Sequence, residues 1–190
     1  MLSFEVRHLA EGYASADWID RVASPAMHAH LRLLSWPSDL ATPDSGFMIV
    51  RESTHRASLL SQHRATIGIQ MPMLVTSLGR AWLAACSAEE REATLSILRE
   101  RPDSMGAMAR DSAYVQRVLR ETRRRGYAVN KSEWLAQSSM SAIALPIIAN
   151  GQAIGAINLA MPSNAISERE IASKYVPRLR ALVEEIARGV

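Results

Sequence analysis

Residues 140–161 read MSAIALPIIANGQAIGAINLAM, and this stretch decides the fold. Two apolar runs, 140–149 and 152–161, have strand length and composition. Between them sits Asn150-Gly151, a pair that accepts the two left-handed backbone positions of a tight type I′ turn. The reading is an antiparallel hairpin. Along its second strand, a period of two places Ile154, Ala156, Asn158 and Ala160 on one face. Gly155, Ile157, Leu159 and Met161 fall on the other.

Outward from the hairpin, 127–130 reads as a further strand. So does FMIVRE (47–52), with 38–43 as its expected partner across Asp44-Ser45-Gly46, a chemically suitable turn. The remaining segments read as helices. Residues 5–34 form two helical pieces, the second restarting with Ser24 as N-cap and Pro25 in the first position. Its expected core positions are Ala26, His30, Leu33 and Leu34. In MPMLVTSLGRAWLAAC (71–86), Pro72 argues against a helix at the start. Thr76 or Ser77 can cap one that runs through Ala81, Trp82 and Leu83. Ser87 and Glu90 have capping-box spacing for the next helix, where Ala93, Leu95, Ile97 and Leu98 make only a loose stripe. A third runs over 111–125, from Asp111 to Gly126. The last opens with Ser167 and Glu170 and carries the stripe Ile171, Tyr175, Leu179, Leu182, Val183 and Ile186. Pro177 is expected to kink it. Antiparallel strands with segregated helices and no βαβ alternation give an α+β fold.

Composition narrows the function classes. The 190 residues suit one domain, or one domain with a short N-terminal arm, and 48% are hydrophobic. The isoelectric point near 9.4 reflects an excess of only three cations, 22 Lys and Arg against 19 Asp and Glu. That excess does not argue for nucleic-acid binding by these residues. No apolar run approaches the length of a membrane span. MLSFEVRHLAEGY at the start lacks the pattern of a signal peptide. With one cysteine, Cys86, no internal disulfide can form. A cytoplasmic protein is expected.

The chemistry-bearing residues point away from catalysis. The five histidines, His8, His28, His30, His55 and His63, show no zinc-site spacing. Cys86 falls at a helix C-terminus, where the dipole disfavours a thiolate. There is no G-x-S-x-G and no phosphate-cradling glycine loop. No enzyme, metal or cofactor is expected. Arg120 to Arg125, RETRRR, reads as a solvated helix end whose cations complement the dipole.

Two features remain as site candidates. The first is TSLGR (76–80), a capped helix start after an extended stretch. Its first N–H groups lack intrahelical acceptors, and with the dipole they favour an anion, worth about 0.3–2 kcal/mol. Gly79 permits close approach of a ligand or of another backbone segment. The alternative is an ordinary capped helix with a packing glycine. The second is Asn158 among Ala142, Ala156 and Ala160. A buried amide needs partners, from a ligand or from the protein itself, and the small neighbours leave room for a cavity.

The ordered landmarks resemble a known family. PMLVTSLGRAWLA (72–84), the capped helix after it, RRGY (124–127), SAIALPI (141–147), Asn150-Gly151, AINLAMP (156–162) and the long last helix are similar, in order and spacing, to effector-binding domains of IclR-type transcriptional regulators. LAEGY (9–13), WPSD (36–39), VRESTHR (50–56) and LSQHR (60–64) resemble a subgroup that activates hydroxyphenylpropionate catabolism. The resemblance implies a GAF-like (profilin-like) twisted antiparallel sheet flanked by helices. It also implies a homodimer or homotetramer, and a winged helix-turn-helix upstream that contacts operator DNA. SFEVRH (3–8) looks like the last wing strand of that domain. Residues 1–24 are then a linker-helix region and 25–190 the effector-binding domain.

The implied effector is a small organic acid, with its carboxylate on the Ser77 and Leu78 amides beside Gly79 and with Thr76 able to help. Asn130 stands where the family often has an acidic residue. Ala142, Asn158 and Ala160 stand where small-acid sensors have polar groups. The implied pocket is less polar, which favours an aromatic or phenylpropanoid acid held among Met71, Met73, Leu78, Trp134 and Met140. A sensor of a small keto acid and an oligomerisation module with a vestigial pocket are the alternatives.

Overall fold

A computed structural model describes residues 17–61, 66–134 and 139–190. The readings of 3–8, 9–13, His8, His63 and the helix before residue 17 lie outside these residues. The strands are β1 (Asp39–Asp44), β2 (Phe47–Ser53), β3 (Gln70–Pro72), β4 (Ala128–Lys131), β5 (Met140–Ala149) and β6 (Gln152–Pro162). They form one antiparallel sheet in the order β3-β2-β1-β6-β5-β4. The fold is α+β, as expected. Both hairpin turns use the same device. Asn150 (φ 50) and Gly151 (φ 78) turn β5 into β6, and Ser45 (φ 47) and Gly46 (φ 83) turn β1 into β2.

Two layers of helix cover the sheet. On one face lie α1 (Ser24–Leu34) and α6 (Val176–Gly189), packed on Leu40, Ile143, Leu145, Ile157 and Leu159. On the other lie α2 (Ser77–Ala85), α3 (Ala88–Arg99), α4 (Ser104–Arg110) and α5 (Ser112–Arg125). The capping readings at Ser87, Asp111 and Gly126 hold, while Ser167 accepts from the Glu170 N–H without the return bond of a box. Ser87 and Glu90 make the reciprocal box, Asp111 caps α5, and Gly126 closes it with φ 77.

Four local expectations change. Ser24 does not restart the first helix. A π-helical turn (Ile19–Ala23) feeds straight into α1, and Ser24 is itself helical. Leu33 is 47% exposed, and Met27 fills the core instead. Leu33 lies about 100° round the helix from buried Leu34, off the stripe. Ile154 packs with the α1–α6 face rather than with Ala156. A bulge opposite Ile147 and Ile148 shifts the register there and reverses the alternation. Finally, Pro177 makes no isolated kink. It sits in the first turn of α6, just after a second π turn (Ile171–Tyr175) that takes up the irregularity.

Candidate functional site

Every residue from Ser77 to Leu83 of α2 is buried, so this short helix is covered all round. Thr76 is its N-cap. The Thr76 hydroxyl donates to the Pro72 carbonyl (2.7 Å) and accepts from the Gly79 N–H (3.2 Å). The N–H groups of Ser77 and Leu78, next in line, have no intrahelical acceptor. Gly79 is required by a close crossing. A Cβ there would lie 2.3 Å from the Met73 carbonyl oxygen and 2.4 Å from its Cα. The close approach at Gly79 is therefore that of the chain's own backbone.

The sheet face under α2 is assembled by register. Asn130, Ala142 and Ala160 are direct partners across β4, β5 and β6, and Ala128, Ala144 and Asn158 form the neighbouring row. Met140 continues the same face beyond Ala142. Met71, Met73 and Leu78 are buried in the cluster on this side, and half-buried Trp134 packs against it. The fold thus brings all the sequence-predicted residues, Thr76 to Gly79 included, to the α2 side of the sheet. Asn130 is buried, and its Oδ1 accepts from the Glu133 N–H (2.9 Å). Asn158 is occupied by the protein itself. Its Oδ1 accepts from the Asp39 N–H (2.8 Å) and its Nδ2 donates to Asp39 Oδ2 (3.2 Å).

Two polar elements were not singled out from sequence. The first is the network around Asp39, which is buried with His55 and Thr66. Ser53 and Thr66 hydroxyls donate to Asp39 Oδ1 (2.8 and 2.9 Å). Nε2 of His55 stands 3.5 Å from Asp39 Oδ2, and its Nδ1 is 2.6 Å from the Ser61 hydroxyl. Burial works to raise the Asp39 pKa, but His55, Ser53 and Thr66 outweigh it and hold the carboxyl below its ordinary value. The available signal was the polar run that ends VRESTHR, which supplies Ser53 and His55 to this network.

The second is Arg80. Its guanidinium is buried and donates to the carbonyls of Leu74 (2.8 Å) and Val129 (2.7 Å) and to both Glu133 oxygens (2.6 and 3.0 Å). It clamps the start of α2 to the end of β4 and to the turn that carries Asn130 and Trp134. Arg80→Met should lower stability by about 2–3 kcal/mol, because the Val129 carbonyl loses its donor. The Leu74 carbonyl keeps the Tyr114 hydroxyl. Glu133→Gln should cost about 1 kcal/mol or less, since Glu133 is 44% exposed and water replaces the pair. Urea melts of the two variants check the contrast, and equal losses would contradict it.

Cys86 is buried at the end of α2, where burial pushes the thiol pKa up. Of the basic run, Arg123 donates to the Ala84 carbonyl (3.0 Å) and Arg125 stacks over Tyr127. No group of His, Cys, Asp and Glu among the described residues could hold a metal ion. No described helix is long and apolar enough to cross a membrane.

Solved structures of bacterial regulators share this architecture. An IclR family transcriptional regulator from Brucella abortus matches with TM-score 0.75 and 26% identity, over 100% of this chain and 70% of that one. The C-terminal domain of the Escherichia coli regulator KdgR matches with TM-score 0.71 and 21% identity, over 91% and 98%. An IclR homologue from Microbacterium hydrocarbonoxydans, solved in complex with 4-hydroxybenzoate, matches with TM-score 0.72 and 23% identity, over 99% and 74%. The family described as bacterial transcriptional regulator IclR, C-terminal, matches residues 12–188. The chain belongs to that family, whose members are regulator domains and not enzymes.

Proposed function

We propose that this domain senses an aromatic or phenylpropanoid carboxylic acid and controls a catabolic operon. The observation that carries the reading is the pairing of a buried, donor-bearing helix head with a sheet face of small side chains. The Ser77 and Leu78 N–H groups supply a fixed anion site at the positive end of α2. The opposite wall, Asn130, Ala142 and Ala160, offers one neutral amide and two methyls. A pocket without a carboxylate there accepts an anion, and one with few hydroxyls suits an apolar body. Met71, Met73, Met140 and Trp134 would hold the ring, methionine being adaptable to varied shapes. The ligand complex named for the Microbacterium homologue is of the same chemical class.

In this reading residues 1–24 link the domain to an upstream winged helix-turn-helix, which alone contacts operator DNA. The regulator works as a homodimer or homotetramer. Effector binding must differ between two arrangements of the domain for a signal to pass. The subgroup of hydroxyphenylpropionate-responsive activators fits best.

A melting-temperature screen tests this with hydroxyphenylpropionates, benzoates and short keto acids. At about 100 times the dissociation constant a ligand stabilises by about 2.7 kcal/mol. For a chain of this size that is a rise of about 5–10 °C. The rise is expected with an aromatic acid. A larger rise with pyruvate or glyoxylate would contradict the aromatic reading. No rise with any acid, in a chain that still forms a tight oligomer, would leave a vestigial pocket.

A further inference from the structure

The face of the sheet that carries α1 and α6 has an opening of its own. A cleft of about 210 Å³ lies between β4, the Ser141 end of the hairpin and residues 166–171, which lead into α6. Its walls are apolar, formed by Val129, Ile143, Met161, Ile166 and Ile171. Three half-buried serines from three segments also line it. Ser132 Oγ and Ser163 Oγ are 2.5 Å apart, and Ser141 Oγ donates to Ser163 Oγ at 3.1 Å. Ser132 Oγ lies 3.4 Å from the Met140 carbonyl and can donate to it.

Counting protons shows what this cluster can read. In the chain Ser141 to Ser163 to Ser132 to the Met140 carbonyl, every hydroxyl proton is used inside the cluster. Ser141 then accepts from no group among the described residues, so its lone pairs are the open capacity, and they suit an incoming O–H. The cleft also carries charge. Lys131 is engaged by Glu168. Arg125 stacks on Tyr127 with its centre 5.8 Å from the ring, and its charge is felt by the Glu168 carboxylate. With Lys131 and Arg125 against the single carboxylate of Glu168, the cleft keeps a net positive charge that suits an anion. The volume is below the roughly 300 Å³ where drug-sized pockets begin, so a single ring is the right scale.

We propose that this cleft is a second binding site, for a small single-ring hydroxy acid. Its hydroxyl donates to Ser141, its ring lies between Ile143, Met161 and Ile166, and its carboxylate meets Arg125. The site stands back to back with the α2 face. Asn130 lies on the α2 face, while the alternate residues Val129, Lys131 and Ser141 line the cleft, and Ala142, the partner of Asn130, borders it as well. Ile171, at the other wall, begins the π turn that feeds α6. A ligand here ties the sheet to the α6–α1 layer. Any effect on ligand binding at the α2 face must be reciprocal.

The test is a methyl-NMR titration of the chain with ¹³C-labelled methionine methyls, using 4-hydroxybenzoate and benzoate as probes. Met161 reports on the cleft, and Met73 and Met140 on the α2 face. The Met161 signal should move saturably with 4-hydroxybenzoate. It should respond several-fold more weakly to benzoate, which lacks the donor. Ser141→Ala removes the accepting hydroxyl, and should weaken the Met161 response to 4-hydroxybenzoate about fivefold while leaving the response to benzoate little changed. Ser141→Phe fills the cleft and should abolish that response while leaving any movement of Met140 intact. The proposal is overturned if Met161 stays fixed at millimolar probe, whether or not Met140 moves, or if Ser141→Ala leaves the Met161 response to 4-hydroxybenzoate unchanged. Because the methyls report separately, failure of the cleft is distinct from failure of the effector reading.

Discussion

Gly79→Ala should cost about 3 kcal/mol or more of folding stability, although it adds one methyl group. The added Cβ would lie 2.3, 2.4 and 2.6 Å from the oxygen, Cα and carbonyl carbon of Met73. All three are backbone atoms, which cannot swing aside as a side chain can. Relief requires moving α2 off the segment that crosses beneath it, and α2 is packed on every side. Overpacking a close-packed interior costs about 1–3 kcal/mol, and the rigid obstacle puts this site at the upper end. The same shift would displace Thr76 from its bonds to Pro72 and Gly79, so ligand affinity should fall with stability. Urea denaturation measures the first effect. A loss below about 1 kcal/mol would mean that the crossing is looser than described.

Asp39→Ala should be of similar size, about 3–5 kcal/mol, by a different route. Its carboxylate gathers Ser53, Thr66, Asn158 and His55 in a buried site, and its removal strands their donors. The network also predicts a pH dependence. The Asp39 pKa is held below its ordinary value of 3.8, so its folded form binds a proton less readily than the unfolded chain. The resulting stability is present in full above that ordinary value and is lost as the pH falls below it, through the folded-state pKa. Asp39→Asn, which cannot titrate, should lose stability at neutral pH and show a flatter acid limb. An acid limb of unchanged steepness in that variant would remove Asp39 from the account.

What the sequence disclosed were features written in adjacent residues. The Asn150-Gly151 hairpin, the caps at Thr76, Ser87 and Asp111, and the stop at Gly126 each depend on a few neighbours in the chain. The stripe of the last helix was legible because its period persists over four turns. Shorter or phase-shifted elements were not. The helix Ser104–Arg110 is too brief for a period, although Asp103 caps it through the Met105 and Gly106 N–H groups. The three-residue strand Gln70–Pro72 carries no alternation. The bulge that turns Ile154 over is set by pairing with the neighbouring strand and leaves no mark in its own sequence.

The candidate site divides in the same way. The helix head at Thr76–Gly79 was legible as a local cap, whereas Asn130 was marked only by the family resemblance, and its alignment in one row with Ala142 and Ala160 comes from the register of β4, β5 and β6. The partners of Asn158 were not legible, because Asp39 lies 119 residues away along the chain. The reach of Arg80 to Val129 and Glu133 spans about 50 residues and depends equally on the tertiary fold. Asn158 is therefore better understood as a strut between β1 and β6 that shapes the sheet face than as a free amide waiting for a ligand.

The central claim rests on two backbone N–H groups, and one substitution removes one of them with little else changed. Ser77 is the first helical residue, where proline is well tolerated. Thr76 before it is already extended (φ −109, ψ 152), as a residue preceding proline must be. Ser77→Pro should therefore fold normally while deleting a donor to the carboxylate. The decisive measurement is a titration of the native chain and Ser77→Pro with 3-(3-hydroxyphenyl)propionate, followed at the Met73 and Met140 methyl resonances. A charge-assisted bond of about 1.5–3 kcal/mol predicts affinity about ten- to a hundredfold weaker in the variant. Equal affinity in the two proteins, with the same resonances moving, would place the carboxylate elsewhere and contradict the account.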